Sequence, residues 1–213
     1  MKIGFVGLGN VGGKLANNLI ENNFQISVLD KNHILMDEFK LKGAKTAKSI
    51  KDLVMNSDIL ITCLPSPKIC AEVLESKDGI IDTIQKDQIW IEMSTTEDEQ
   101  LKKHASLIQQ KNAIALEAPV SGGCHRAATG NISIFVGGSR EGFDKAMPVL
   151  KCLGRKILYT GDFGSASILK VITNYLATVH LVALGEAWAI ASKSNLDLNK
   201  TYKGIAASSG NSF

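Results

Sequence analysis

The chain has 213 residues, a hydrophobic fraction of 45% and a formal net charge of +3, a composition that excludes a largely disordered chain. The positive charge is small and dispersed, and basic segments such as Lys102-Lys103 are short, with no aromatic residues interleaved, so we expect no nucleic-acid partner. Four cysteines without paired or His-flanked spacing indicate free thiols in a reducing compartment and no metal site. No signal-peptide cleavage pattern follows the apolar start, and we therefore predict a cytoplasmic protein.

Short apolar runs alternate with helix-like segments over most of the chain. The first two predicted strands, 2–6 and 25–30, are followed by predicted helices over about 11–22 and 33–41. Further strands are predicted at 59–64, 89–93, 113–116, 132–136 and 157–160. This alternation predicts βαβ units and a parallel sheet. The fold class is therefore α/β, with a Rossmann-type doubly wound sheet over residues 1–163.

A single long helix is predicted from about residue 165 to 194, roughly 45 Å in length. Its apolar residues cover every face, so it is expected either to be buried or to cross a membrane. Polar residues such as Thr173, Asn174 and His180 interrupt the apolar run and favour a buried helix in a protein with no membrane contact. Few residues follow it, so its cover is expected to come from another chain or from sequence outside this one.

A glycine-rich turn follows the first predicted strand and reads Gly7-Leu8-Gly9-Asn10-Val11-Gly12. In a GxGxxG turn before a helix, the first glycine permits a tight turn, the second lets a pyrophosphate approach the backbone, and the third lets the helix pack closely against the strand. The next strand ends in Asp30, whose carboxylate can accept hydrogen bonds from an adenosine ribose. We predict an NAD site, against the alternative of a glycine-rich turn beside a surface aspartate. NADP is also possible, because Lys31 could partly offset repulsion of a 2′-phosphate by Asp30.

Three further segments carry candidate binding or catalytic residues. The Leu64-Pro65 loop follows a strand, where open α/β sheets bind ligands, although a plain two-proline turn fits equally well. The N–H groups of Ser121-Gly122-Gly123 could converge on a carboxylate, or the segment is only a loop. Lys170 and Asn174 stand four apart on one helix face. A lysine on an apolar helix either reaches solvent or serves chemistry.

Taken together, these motifs resemble the β-hydroxyacid dehydrogenase family, which includes 3-hydroxyisobutyrate dehydrogenases and glyoxylate/succinic semialdehyde reductases. The resemblance covers nearly the whole chain and rests on four ordered motifs: residues 3–12, Glu92-Met93-Ser94-Thr95, residues 118–123 with 130–133, and Lys170 with Asn174. It implies a nicotinamide cofactor with Thr95 near its nicotinamide end. It also implies that Ser121, Gly122 and Gly123 hold a substrate carboxylate. Lys170 would be the general acid/base and Asn174 its positioning partner.

The activity implied is hydride transfer between NAD(H) and a small 3-hydroxy acid or its semialdehyde, in a homodimer or tetramer. The alternatives are an NADPH-dependent glyoxylate or succinic semialdehyde reductase, an imine reductase, and a non-catalytic dinucleotide-binding module. The chain departs from the family at Glu117, where Asp is usual, and at Arg126, where Gly is usual. Family members carry a longer helical C-terminal domain. Residues 164–213 are therefore expected to be the start of a truncated all-α substrate and dimerisation domain.

Overall fold

The computed structural model describes residues 1–96 and 98–211, which divide into two compact units, Met1–Lys170 and Val171–Phe213. The strands are β1 (Lys2–Val6), β2 (Gln25–Leu29), β3 (Lys45–Thr46), β4 (Ile59–Thr62), β5 (Ile89–Glu92), β6 (Ile114–Glu117), β7 (Val120–Ser121), β8 (Ile132–Gly138) and β9 (Gly154–Gly161). The helices are α1 (Gly12–Glu21), α2 (His33–Leu41), α3 (Ile50–Met55), α4 (Pro67–Glu75), α5 (Ile80–Thr83), α6 (Asp98–Gln110), α7 (Gly123–Ala128), α8 (Arg140–Leu153), α9 (Ser165–Lys193) and α10 (Leu198–Ala206).

The strands form one sheet in the order β3-β2-β1-β4-β5-β6-β8-β7, with β9 paired to β8. All pairings from β3 to β6 are parallel, which confirms the Rossmann-type fold. The predicted parallel sheet extends as far as β6, whereas β8 runs antiparallel to β6 and β7. Only residues 122–131 separate β7 from β8, fewer than a parallel crossover requires. Ile134 pairs with Val120 on one side and Ile157 on the other, so β7 and β9 lie on opposite edges of β8.

Two apolar clusters cover the two faces of the sheet. Successive strand residues alternate between them, as Leu60 and Ile61 do on β4 and Trp90 and Ile91 do on β5. Leu15 of α1 belongs to one cluster and Leu53 of α3 to the other, so helices lie on both faces. Strands buried on both faces lack polar alternation, which is why they read as continuous apolar runs in the sequence.

Helix α9 is 29 residues long and most of its apolar side chains are exposed. They include Ile168, Val171, Ile172, Tyr175, Leu176, Val179, Leu181, Val182, Leu184 and Ile190. Within residues 171–211 of the second unit, α10 is the one other helix, and none of its residues is buried. By length and composition α9 could also cross a membrane. The expectation that another molecule covers this helix stays a prediction.

Candidate functional site

The predicted cofactor residues lie along one edge of the sheet. Gly7 follows β1, Asp30 follows β2, Leu64 comes shortly after β4, and Thr95 comes shortly after β5. These four strands are parallel neighbours, so their carboxyl ends meet at the same edge. Strand order reverses between β1 and β4, and open α/β sheets bind ligands at such a switch point. The topology therefore brings together residues that are up to 88 positions apart (7 to 95).

The glycine-rich turn is built so that only one of its three motif glycines leaves open space. Gly7 has a φ of 97°, and a Cβ at Gly12 would lie 2.1 Å from the carbonyl oxygen of Gly7. A Cβ at Gly9, by contrast, would meet no heavy atom within 4 Å. Val11, the N-cap of α1, provides no side-chain acceptor, and the positive potential of this helix N-terminus suits an anion. The turn therefore fits a pyrophosphate approaching at Gly9.

Asp30 is held in place by the backbone around it. Its Oδ2 accepts a hydrogen bond from the N–H of Leu8 at 2.6 Å, and its Oδ1 accepts one from the N–H of Asn32 at 2.8 Å. A carboxylate has about four acceptor positions, so two stay available for ribose hydroxyls. Lys31 Nζ lies 3.4 Å from Glu72 Oε2 on α4. The cation that could offset a 2′-phosphate is therefore already paired with a carboxylate.

A buried network that the sequence did not reveal joins the ends of β4 and β5. The N–H of Leu64 donates to Ser94 Oγ at 2.7 Å, and the N–H of Ser94 donates to Glu92 Oε1 at 2.8 Å. Glu92 is 1% exposed, and its Oε2 has no hydrogen-bond partner among residues 1–96 and 98–211. Burial raises the pKa of Glu92 to about 7. The network fixes Leu64 against the segment that leads to Thr95.

The thiols of Cys63 and Cys70 lie in the same surroundings. Burial, and secondly the charge of Glu92, raises the pKa of each to about 12.

The segment after Leu64 leads directly into a capped helix, so it is more than a plain two-proline turn. Ser66 is the N-cap of α4, accepting a hydrogen bond from the N–H of Ile69 at 3.4 Å, and Pro67 begins the helix.

The raised pKa of Glu92 makes the stability of the protein depend on pH. The native state holds this proton more tightly than the unfolded chain, so the free energy of unfolding falls as pH rises from about 4.5 to 7. The loss reaches the order of 3 kcal/mol above that window. We expect Glu92→Gln to match the wild type at pH 5 and to be more stable than it at pH 8. Urea unfolding at the two pH values measures the difference.

Glu75→Gln is the matched control for this prediction. Lys103 and then His104 lower the pKa of Glu75, which is the opposite direction, and its carboxylate is partly exposed. Its replacement should therefore give a small loss of stability at pH 8 rather than a gain. Equal pH dependence in the wild type and Glu92→Gln would show that Glu92 titrates normally.

The predicted substrate loop is a sharp turn between β7 and α7. Ser121 ends β7, and Gly122 and Gly123 have φ values of 136° and 76°, which favour glycine at both positions. Arg126 Cδ lies 2.8 Å from the Cβ position that Gly122 lacks, so the stem of this exposed side chain packs over the turn. Within the described residues, a carboxylate held by this turn would therefore have an arginine side chain beside it.

Lys170 lies near the start of α9, and the start of α9 lies at the carboxyl end of β6. Glu117, the last residue of β6, accepts hydrogen bonds from the N–H groups of Gly164 and Ala166. Lys170 follows one turn later and is half-buried, and desolvation lowers its pKa from the ordinary lysine value. Asn174 is four residues further along α9, in the second unit. The sequence had marked Glu117 only as a departure from the family pattern.

Two family models match the chain. The model described as the NAD binding domain of 6-phosphogluconate dehydrogenase matches residues 2–161. The model described as the NAD-binding domain of NADP-dependent 3-hydroxyisobutyrate dehydrogenase matches residues 164–213. The first model alone covers more than half of the chain, including all nine strands of the described sheet.

Individual relatives agree with the family models. The chain is 34% identical over 208 residues to the mitochondrial 3-hydroxyisobutyrate dehydrogenase of Rattus norvegicus, covering 98% of this chain and 62% of the relative. It is 30% identical to the NAD-dependent L-serine dehydrogenase of Pseudomonas aeruginosa, covering 100% of this chain and 71% of the relative. A structure of 3-hydroxyisobutyrate dehydrogenase from Mycobacterium tuberculosis with L-serine matches with a TM-score of 0.93 at 26% identity, covering 99% and 72%. The chain thus spans less than two thirds of the length of the rat relative.

Proposed function

Because the chain belongs to the β-hydroxyacid dehydrogenase family, we propose that it transfers a hydride between NAD(H) and a small 3-hydroxy acid or its semialdehyde. The observation that carries the proposal is the position of Lys170. Glu117 holds the first turn of α9 at the carboxyl end of β6, and the glycine-rich turn lies at the same edge after β1. A proton-transferring group and a dinucleotide turn on one sheet edge suit alcohol oxidation.

The chemistry requires a proton to leave the substrate hydroxyl as hydride leaves its carbon. A bound nicotinamide cofactor supplies the hydride acceptor or donor. In our proposal the uncharged amine of Lys170 takes the hydroxyl proton during oxidation and returns it during reduction, with Asn174 as its positioning partner. Partial burial of Lys170 lowers its pKa and so increases the fraction that can accept a proton near neutral pH. The N–H groups of Ser121, Gly122 and Gly123 hold the substrate carboxylate.

The substrates that appear in the names of two relatives support the proposed substrate class. 3-Hydroxyisobutyrate and L-serine both carry a hydroxyl on the third carbon from the carboxylate end. If the glycine turn binds the substrate carboxylate, the hydroxyl lies at a fixed distance from that carboxylate. Lys170 is proposed to accept the proton of this hydroxyl. An NADPH-dependent glyoxylate or succinic semialdehyde reductase is the second candidate within the family.

NAD is the proposed cofactor in preference to NADP. The Asp30 carboxylate repels a 2′-phosphate, and Lys31 is engaged by Glu72. Thr95, exposed shortly after β5, is proposed to lie near the nicotinamide, and Leu64 and Pro65 are proposed to line the cofactor site. The division into a dinucleotide-binding domain, 1–163, and the start of a helical substrate and dimerisation domain, 164–213, belongs to the same proposal. Separate family models over 2–161 and 164–213 support it.

Two measurements on the purified chain test this proposal. NADH and NADPH are titrated by fluorescence, and the reduced-nicotinamide absorbance is followed with NAD and a panel of 3-hydroxy acids. We expect NADH to bind at least tenfold more tightly than NADPH, and we expect turnover with at least one 3-hydroxy acid. Binding without any turnover would favour the non-catalytic dinucleotide-binding module. Preference for NADPH with reduction of glyoxylate or succinic semialdehyde would favour the reductase.

The assembly and the location are part of this proposal as well. We propose a homodimer or tetramer, since the apolar side chains of α9 are exposed among the described residues and a partner subunit would cover them. A cytoplasmic location stays a prediction, and several relatives are named as mitochondrial.

A further inference from the structure

The carboxylate of Glu117 is fully buried, and the chemistry proposed above does not use it. Its Oε1 accepts hydrogen bonds from the N–H of Gly164 at 2.7 Å and the N–H of Ala166 at 2.8 Å. Its Oε2 accepts from both the N–H and the hydroxyl of Ser167, at 3.2 and 2.5 Å. Burying a carboxylate is costly unless donors replace the lost water, and these four donors do so.

All four donors belong to the turn that begins α9. The first N–H groups of a helix have no partner within the helix, and their positive potential favours a carboxylate. Glu117 is the last residue of β6, within the parallel part of the sheet. Ser165, also in this turn, contacts Thr160 of β9 at 2.7 Å between the two hydroxyl oxygens. Glu117 is therefore the side chain that links the turn directly to β6.

The neighbouring strand leaves space for this carboxylate. Gly137 of β8 pairs with Glu117 in the antiparallel register. A Cβ at Gly137 would lie 2.3 Å from Glu117 Oε1 and 3.0 Å from the carbonyl oxygen of Asp162. Any larger residue at this position would push the carboxylate away from the helix. The absence of a side chain at Gly137 therefore leaves room for the glutamate side chain that extends from β6.

We propose that Glu117 is a positioning residue for Lys170, because it fixes the first turn of α9 against the carboxyl end of β6. Ala166, one of its donors, is buried and precedes Lys170 by four residues, one helical turn. Without the carboxylate this turn loses the partner of its N–H groups and frays. Lys170 Nζ then samples more positions and more water. The inference rests on the proposed role of Lys170 in catalysis, and its test does not need turnover.

The test measures how readily Lys170 is acylated as a function of pH. The full chain and its Glu117→Gln variant are treated with an amine-acylating reagent, and mass spectrometry follows the peptide that contains Lys170. Glutamine keeps the size of the side chain and removes the charge. We expect the midpoint for Lys170 to rise by roughly half a pH unit or more in Glu117→Gln, toward the ordinary lysine value of about 10.4. Glu117→Asp, which restores the charge, should bring the midpoint back toward the wild type.

Ser139→Ala is the matched control, because Ser139 Oγ caps α8 by accepting from the N–H of Gly142 at 3.1 Å. It removes a helix cap elsewhere in the same unit, and we expect no change in the Lys170 midpoint. An unchanged midpoint in folded Glu117→Gln would overturn the inference, and so would an equal shift in Ser139→Ala. If Glu117→Gln does not fold, Ser167→Ala is compared with Ser139→Ala instead: it removes the hydroxyl that donates to Glu117 Oε2 and should shift the midpoint part of the way, and no shift overturns the inference.

Kinetics separate this inference from the proposed function. Where the wild type turns over, we expect Glu117→Gln to lower kcat roughly tenfold while the KM for NAD stays within about twofold, because the glycine-rich turn is untouched. A shifted Lys170 midpoint in a wild-type background that never turns over leaves the positioning role standing and removes the proposed function. Turnover with no difference between wild type and Glu117→Gln in either measurement removes the positioning role alone.

Discussion

In Lys170→Ala, kcat for oxidation of a 3-hydroxy acid is expected to fall by about 10²–10⁴-fold, the usual contribution of a general acid or base. The affinity for NADH should stay within a few-fold, because Lys170 lies on α9 and the glycine-rich turn proposed to bind the cofactor lies after β1. In the wild type, oxidation should accelerate as pH rises through the pKa of Lys170, which burial places below the ordinary lysine value. Steady-state kinetics over a range of pH, with NADH binding measured in parallel, check both expectations.

Two further variants test whether the loss of kcat is specific to proton transfer by Lys170. Lys170→Arg keeps the positive charge but cannot lose a proton at accessible pH, so we expect it to be as inactive as Lys170→Ala. Lys193→Ala changes an exposed lysine in the last turn of the same helix and should leave kcat unchanged. Wild-type kcat in Lys170→Arg would show that the residue acts through its charge alone and not by proton transfer.

The second large effect is expected at the glycine-rich turn. There, one alanine substitution should lower the stability of the fold and another should lower the affinity for NADH. In Gly12→Ala the new Cβ would lie 2.1 Å from the carbonyl oxygen of Gly7, a backbone atom that cannot move without breaking the turn. We expect a loss of about 3 kcal/mol or more in the free energy of unfolding. In Gly9→Ala the new methyl would meet no heavy atom within 4 Å among the described residues beyond its chain neighbours, so the free energy of unfolding should change by about 0.5 kcal/mol or less.

Binding of NADH distinguishes the two glycines. Gly9→Ala should fold normally and yet bind NADH at least tenfold more weakly, because its methyl group occupies the space through which the pyrophosphate approaches. Urea unfolding and NADH titration on both variants provide the measurements. Wild-type affinity in Gly9→Ala would mean that the dinucleotide does not bind at this turn.

Much of the fold was predictable because its signals are local. The positions of β1, β2, β4 and β5 follow from apolar runs and their spacing, and the roles of Gly7 and Gly12 follow from the motif. β3 and β7 have two residues each, too few to leave a periodic pattern. The reversal at β8 depends on which strand it meets in space, and no short segment of sequence carries that information.

The electrostatic features of the candidate site depend on contacts between distant parts of the chain. Glu117 receives hydrogen bonds from Gly164 and Ala166, 47 and 49 positions away. Glu92 is buried at the end of β5, between the neighbouring strands β4 and β6, and its sequence neighbours give no hint of a raised pKa. A glutamate at the carboxyl end of a buried strand is the signal that could have drawn attention to both residues, since such a side chain needs donors from elsewhere.

The surroundings of Cys63 and Cys70 have a consequence for how the protein withstands oxidants. Peroxides and alkylating reagents attack the thiolate, and a pKa of about 12 leaves only about one thiol in 10⁵ ionised at neutral pH. Both thiols are therefore expected to react slowly, although Cys63 directly precedes Leu64 at the carboxyl end of β4. Burial, and secondly the charge of Glu92, is therefore expected to slow the oxidation of both thiols.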